Sequence, residues 1–445
     1  MQIEFLTNSE NLPSDVVVSS ARTCYTPKGI ISPEESREWS RKNSLLEDIF
    51  KSGHHTTLQH TYITMMISGI SRHLVWRLLH SHSYYNSEQV SQRYAKMSLK
   101  NMHYPKNGDR EKWREFYQGQ FDDYLQLIQL LEKPITERLP KFKKRDGSKK
   151  AQEIARYVLP QGTEAYLYHT VNLLTVLRYI SVAKDLPEAK EEGEEFAEIL
   201  ATKLVSLDKA LKPLVEFAKR EQAIFPNHNM EKYRKKGIVF DVVGDLEFDI
   251  NENYGGIMRA SQLFFDGGII GGFSSYTKLS LSADAQNQRH RRSLAIRPSL
   301  QTDFKEEFYT PKIFDEVPEA KEVYLNSINK SYNFFREQRE KIGFSEAIYS
   351  LPNSHLVEIV ERNDWSSFHH KAQMRLCFNA QEEIYDIVYQ QVKELRNMKI
   401  AGVENLLPPC GVRFNMGIYP ICPEGARFCG VKVWKKEFDN YTYPI

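Results

Sequence analysis

Apolar residues recur at helical spacing in the first half of the chain: Trp113, Phe116, Tyr117, Tyr124, Leu127, Ile128 and Leu131. Steps of three and four predict one amphipathic helix face. The segment Ala155-Arg156-Tyr157-Val158-Leu159-Pro160 follows. A second stretch, with Val323, Tyr324, Ile328, Phe334 and Phe335, precedes Ala347-Ile348-Tyr349-Ser350-Leu351-Pro352. Proline disfavours helix at the residue before it, so each Leu-Pro predicts a helix end. Asn172 and Asn363 follow the two prolines by twelve and eleven residues, and each leads into a further amphipathic helix. Strand-like segments lie near 61–69 and 274–282. The shared order predicts an α+β chain built as two similar halves, each a helix-rich layer packed on a small antiparallel sheet. The predicted divisions are 1–225, 226–400 and a Cys/Pro-containing extension, 401–445. Residues 219–245, with Pro226, Asn227, Asn229 and the basic run Lys232 to Lys236, read as a linker. The run Glu191 to Glu195 reads as a solvated helix face.

Composition narrows the function. The 445 residues allow two or three domains with ample core. Net charge of +2 gives no general polyanion signal, so a basic site must be local and a nucleic-acid module is disfavoured. No run of about eighteen apolar residues predicts a membrane span, and the N-terminus carries no signal-peptide pattern. Five cysteines in this length do not make a disulfide framework, so a cytoplasmic location is expected.

The local basic site is residues 289–299, Arg-His-Arg-Arg-Ser-Leu-Ala-Ile-Arg-Pro-Ser. Guanidinium is a planar fork that grips phosphate bidentately. A basic surface stretch is the plainer reading. The triplet Arg289-His290-Arg291, separated from Ser299 by seven residues, resembles the signature of the flavin-dependent thymidylate synthases. In the first half, Val17 to Tyr25, Gly53 to His60 and Ser91-Gln92-Arg93-Tyr94 resemble other segments of that family, while its triplet has become Ser81-His82-Ser83. The resemblance implies two tandem domains of this family, each partly degenerate.

In that family one dUMP site is shared by two subunits. One supplies a Gln-x-x-Arg-His-Arg segment and a later arginine; the other supplies Ser-x-Arg and an arginine before the Leu-Pro. Here the second half keeps the first set, as Gln286, Arg289, His290, Arg291 and Arg375. The first half keeps the second set, as Ser91, Gln92, Arg93 and Arg156. The complementary positions hold Ile348, Gln301 and Ala183. The resemblance implies that Ser91, Arg93 and Arg156 take the nucleotide phosphate. It implies that Arg289, His290, Arg291, Thr56, His54, Asn363 and His369 hold FAD. It gives Arg375 the catalytic role of polarising the uracil ring. On their own residues, Arg156 could be a surface ion pair, His54 a turn residue, and Arg375 a partner of Glu382 or Glu383. Trp365 stands where the family commonly has arginine and could stack on a ring. Gln59 and Gln89 replace family glutamates.

The reaction so implied is FAD-dependent methylation of dUMP to dTMP, with NADPH and methylenetetrahydrofolate as co-substrates. The alternatives are another flavin-dependent C5 modification, such as hydroxymethylation of a pyrimidine nucleotide, or a non-catalytic nucleotide-binding relative. The family's tetramers imply a homodimer of tandem chains. Cys410, Cys422 and Cys429, near prolines and glycines, can make a zinc knuckle if Cys377 or a histidine supplies a fourth ligand; paired Cys-x-x-Cys spacing is absent, so thiols without metal are the plainer reading and no metal is assigned.

Overall fold

The structure is a computed structural model that describes all residues except 7–9, 28, 139–143, 247–270, 303 and 445, and the side chains of 144–146. Two four-stranded antiparallel sheets share one topology. The first runs β1 (Gln2–Phe5), β2 (Tyr62–Ser71), β4 (Glu164–Asn172), β3 (Asn86–Gln89) in spatial order. The second runs β5 (Val239–Val243), β6 (Gly272–Ser280), β8 (Leu356–Asp364), β7 (Leu294–Ile296). Period-two patterning drives them: Ile63, Met65 and Ile67 of β2 point into the core opposite Val171, His169 and Leu167 of β4.

The helices that carry the argument are α1 (Arg110–Arg138), α2 (Lys144–Ala155), α3 (Leu173–Ala183), α4 (Lys190–Leu207), α5 (Leu281–Asn287), α6 (Pro318–Ile342), α7 (Trp365–Arg375) and α8 (Glu382–Asn397). The predicted apolar faces of α1 and α6 pack on one another. Phe116 and Phe334 stack at 4.3 Å, and Ser327 Oγ donates to Gln120 Oε1 at 2.8 Å. One large core therefore joins residues of both halves, among them Trp113, Tyr157, Tyr324 and Tyr349.

The two Leu-Pro turns meet. Gln161 N donates to Leu351 O at 2.8 Å, and Asn353 N donates to Leu159 O at 2.9 Å. Gly162 N reaches Tyr349 O at 2.8 Å, and Ser354 N reaches Tyr157 O at 3.0 Å. Such reciprocity is the mark of a two-fold axis, here a pseudo-axis inside one chain. It extends to the glutamates. Ser71 N and Oγ donate to the Glu192 carboxylate at 2.6 and 2.5 Å, and Tyr349 OH of the other half joins at 3.0 Å. Ser280 N and Oγ donate to Glu383, both at 2.6 Å, and Tyr157 OH joins at 2.7 Å.

Three sequence readings change. Glu192 is not on a solvated face: it is 1% exposed, because its partners lie far away in sequence. Residues 219–245 are more than a linker, since β5 adds an edge strand to the second sheet through Val239↔Ser275 and Phe240↔Ser274. The residue matching Asn172 is Asp364, not Asn363. Asn172 caps α3 by accepting from Thr175 N, and Asp364 caps α7 by accepting from Ser367 N. One further irregularity has a clear cause. Ser71 to Ser81 spans ten steps where Ser280 to Arg289 spans nine. A π-turn at Val75–Leu79 absorbs the extra residue, closed by His80 N to Val75 O at 3.0 Å.

Candidate active site

One chain gathers the complementary residues. Arg93 follows β3, and Arg156 begins the 3-10 turn after α2. Gln286 lies on α5, with Arg289, His290 and Arg291 just beyond it. Arg375 is the last residue of α7. The two halves interlock here. Arg289 Nη1 donates to Ser87 O at 2.6 Å, and Arg291 Nη1 to Asn86 Oδ1 at 2.6 Å and to Tyr85 O. The second-half triplet thus rests on the first-half strand β3.

Arg375 Nε donates to His290 Nε2 at 2.9 Å, and its Nη2 donates to Gln286 O at 2.7 Å. It makes no ion pair with Glu382 or Glu383, whose α8 begins after the chain has turned away. Burial, then the nearby Arg93 and Arg289, push the Arg375 guanidinium down to about 10. Burial, followed by Arg375 and Lys371, holds the His290 imidazole well below its ordinary value, so it is neutral and accepts from Arg375.

Arg156 is buried, not a surface ion pair. Its Nη2 donates to Gln381 Oε1, which also receives Gln286 Nε2. Gln381 Nε2 in turn reaches Tyr157 OH. Arg156 Nε and Gln286 Oε1 are buried with no hydrogen-bond partner among the described residues. Arg93 Nε pairs with Glu153, and its Nη2 donates to Asn379 O at 2.6 Å. Burial works to raise the Glu153 carboxyl, but Arg93 and Lys150 outweigh it and hold it at about 2. Ser91 Oγ accepts from Arg93 N at 3.2 Å, which shapes the loop. Gln92 is buried and its Oε1 receives Asn353 Nδ2 at 3.1 Å.

Sequence reasoning missed several members. Arg72 joins the cluster: burial, then Arg156 and Arg289, push it to about 9, and its Nη1 is a buried donor without a partner among the described residues. Glu153 and Lys150 were readable in principle, because Lys150, Glu153 and Arg156 recur every three residues along one helical face. Arg72 gave no such signal.

The remaining predicted residues fall at the margins. Asn363 is buried, accepts from Ser293 Oγ at 2.8 Å, and leaves Nδ2 without a partner among the described residues. His369 is buried on α7. His54 and Thr56 sit exposed on the turn before β2. Trp365 cannot stack on a ligand: it is 0% exposed, packs on Phe273 and donates Nε1 to Val243 O at 3.2 Å. Arg297 is structural, paired with Asp284 at 2.8 and 3.0 Å. In the altered first-half triplet, His82 bonds Tyr179 OH at 2.6 Å. Among the described residues, no group of three or more His, Cys, Asp or Glu is placed to hold a metal ion. No helix among them is long and apolar enough to cross a membrane.

The family model of the Thymidylate synthase complementing protein (Thy1) matches residues 6–207 and again 272–398. The chain belongs to this family. The two matched regions agree with a tandem repeat of the Thy1 domain and with the pseudo-two-fold fold. Similar proteins include the flavin-dependent thymidylate synthase of Clostridium tetani, 30% identical over 173 residues, covering 38% of this chain and 68% of that protein. The flavin-dependent thymidylate synthase of Geobacter sulfurreducens is 24% identical over 220 residues, covering 48% and 85%. Among solved structures, Thymidylate Synthase X from Helicobacter pylori with FAD and dUMP gives a TM-score of 0.34 at 19% identity, covering 50% of this chain and 100% of that one. A UMP/dUMP methylase, PolB, from Streptomyces cacaoi gives 0.37 at 19% identity, covering 50% and 97%.

Proposed function

We propose that this Thy1-family chain is an FAD-dependent thymidylate synthase that methylates dUMP to dTMP with methylenetetrahydrofolate and NADPH. The observation that carries the reading is Arg375. Its cation is held among Arg93 and Arg289, with a neutral histidine and a carbonyl as its hydrogen-bond partners. Arg93 is paired with Glu153, but Arg289 and Arg375 have no carboxylate partner among the described residues, and such cations suit an anionic ligand.

In this proposal Ser91, Gln92, Arg93 and Arg156 bind the substrate phosphate, and Gln286 and Arg289 orient the nucleotide. Arg375 supplies a fixed positive charge to the pyrimidine, which stabilises the negative charge developing as C5 becomes nucleophilic. The neutral His290 fixes the Arg375 guanidinium by accepting from Nε. Arg289, His290, Arg291, Asn363 and His369 would hold FAD, with His54 and Thr56 contributing at the rim. The unpartnered buried amide of Asn363 and the adjacent guanidinium groups fit a ring and phosphates rich in acceptors. When bound, FAD supplies the hydride and one-carbon transfer chemistry, while the protein orients and polarises. A cytoplasmic homodimer of tandem chains completes the proposal.

The test is an anaerobic absorption spectrum of the protein reconstituted with FAD, followed by product analysis. Bleaching by NADPH and formation of dTMP from dUMP and methylenetetrahydrofolate support the reading. Hydroxymethyl-dUMP as product moves the reaction to the sister chemistry. Absence of flavin binding after reconstitution removes the enzyme reading.

A further inference from the structure

The pseudo-two-fold axis creates a second, mirrored position for the phosphate seat, at Ser299. The two loops share one geometry. Arg93 N donates to Ser91 Oγ at 3.2 Å, and Gln301 N donates to Ser299 Oγ at 3.2 Å. In the first loop no described residue receives the Gln92 N–H. In the mirrored loop both donors are taken by one carboxylate. Glu188 Oε1 accepts from Ser299 Oγ at 2.6 Å and from Leu300 N. Arg77 Nε stands 2.9 Å from Glu188 Oε2, and His73 Nε2 stands 3.8 Å from it. Glu188 is 0% exposed, and Arg77 is itself anchored by donating to Arg297 O and Pro298 O at 3.0 and 3.2 Å.

A hydroxyl and a main-chain N–H on one oxygen, with a guanidinium paired to the other, is the setting an oxyanion needs. The residue matching Glu188 on the other side carries no such charge, and the carboxylate that does stand there, Glu153, is bound by Arg93 and Lys150. Glu188 lies four positions before Glu192, and Asn379 lies four before the matching Glu383. The Asn379 side chain turns away, donating to Arg427 O at 3.0 Å and Glu424 at 3.3 Å.

We propose that the Glu188 carboxylate is a built-in anion that fills the second phosphate seat, so that each chain offers one seat, at Ser91 and Arg93, and removal of the carboxylate opens another. The inference rests on the reading of Ser91 and Arg93 as a phosphate seat. It explains how a tandem chain silences one of two mirrored sites without leaving Arg77 unpaired in the interior.

The experiment uses inorganic phosphate as probe against chloride at equal ionic strength, read by thermal unfolding. Arg93→Ala alone has neither seat available and gains nothing. Arg93→Ala with Glu188→Ala gains about 2 °C in phosphate, and adding Ser299→Ala removes the gain. Absence of that gain in the folded double variant overturns the proposal. If Glu188→Ala does not fold, a crystal structure of the wild type soaked in phosphate decides: an anion at Ser299 overturns the proposal, and Glu188 alone there supports it. The nucleotide reading fails separately, as an empty Ser91 seat in the wild type beside a phosphate-responsive Glu188→Ala background.

Discussion

Arg375→Gln separates the cost of a clustered cation from its use. The guanidinium is held at about 10 rather than 12.5 by burial and by its fellow arginines. A shift of that size corresponds to about 3 kcal/mol of disfavoured charge in the ligand-free protein. Against it stand two hydrogen bonds, to His290 and to Gln286 O, whose loss costs about 1–3 kcal/mol together. The two nearly cancel, so the ligand-free variant should unfold within a few degrees of the wild type. Ligand binding should not cancel. Loss of a charge-assisted contact weakens nucleotide binding by about 2–3 kcal/mol, or roughly a hundredfold. Ligand at a hundred times its dissociation constant stabilises by about 2.7 kcal/mol. For a chain of this length that is about 3 °C. The assay is differential scanning calorimetry with and without dUMP. The wild type should gain about 3 °C at that concentration, and Arg375→Gln less than about 1 °C. A folded variant with the full dUMP shift would refute the reasoning, as would a collapse of the ligand-free protein by many degrees.

Other outcomes follow from the same geometry. Tyr349→Phe removes a donor from the buried Glu192 on the silent side, so it should cost about 1–3 kcal/mol in urea unfolding while leaving dUMP affinity unchanged. Gly162→Ala should destabilise by about 1–3 kcal/mol in the same assay, because a Cβ there would lie 2.3 Å from Tyr117 Oη and 3.1 Å from Tyr349 Cβ at the pseudo-axis. Glu153 and Glu188 both sit at about 2, below their ordinary 4.5. A depressed carboxyl stabilises fully above its unfolded value and loses that contribution as pH falls through the folded one. Acid titration of stability should therefore show a loss between about pH 4.5 and 2 that is smaller in Glu153→Gln and Glu188→Gln; an unchanged profile in both variants would contradict the pairing.

The parts legible in sequence were those encoded locally. Helix spacing pointed to α1 and α6, strand-like segments near 61–69 and 274–282 pointed to β2 and β6, and the Leu-Pro pairs marked the helix ends that meet at the pseudo-axis. Motif spacing also sorted the arginines into two complementary sets, which the fold brings together. What stayed hidden depends on distant partners. Glu192 reads as one of a charged run, yet its acceptor role is set by Ser71 and Tyr349, 121 and 157 residues away. Trp365 reads as a candidate stacking group, yet Phe273 and Val243 of the second sheet enclose it. Asn363 was set one position out of register: Asp364, twelve residues beyond Pro352 as Asn172 is beyond Pro160, is the match, and the two helix caps agree. Arg72 carries no motif, and only tertiary convergence brings it to the cluster.

The central claim is that one chain assembles the nucleotide site from its two halves. The most direct measurement is dUMP binding by isothermal titration calorimetry to Arg93→Ala, to Arg375→Ala, and to both after unfolding and refolding as a mixture. The account predicts one nucleotide per wild-type chain, none detectable at the same concentration for either variant, and none regained on mixing, since every chain then lacks one essential group. Recovery of binding in the mixed sample would show that the two sets meet between chains and would contradict the account.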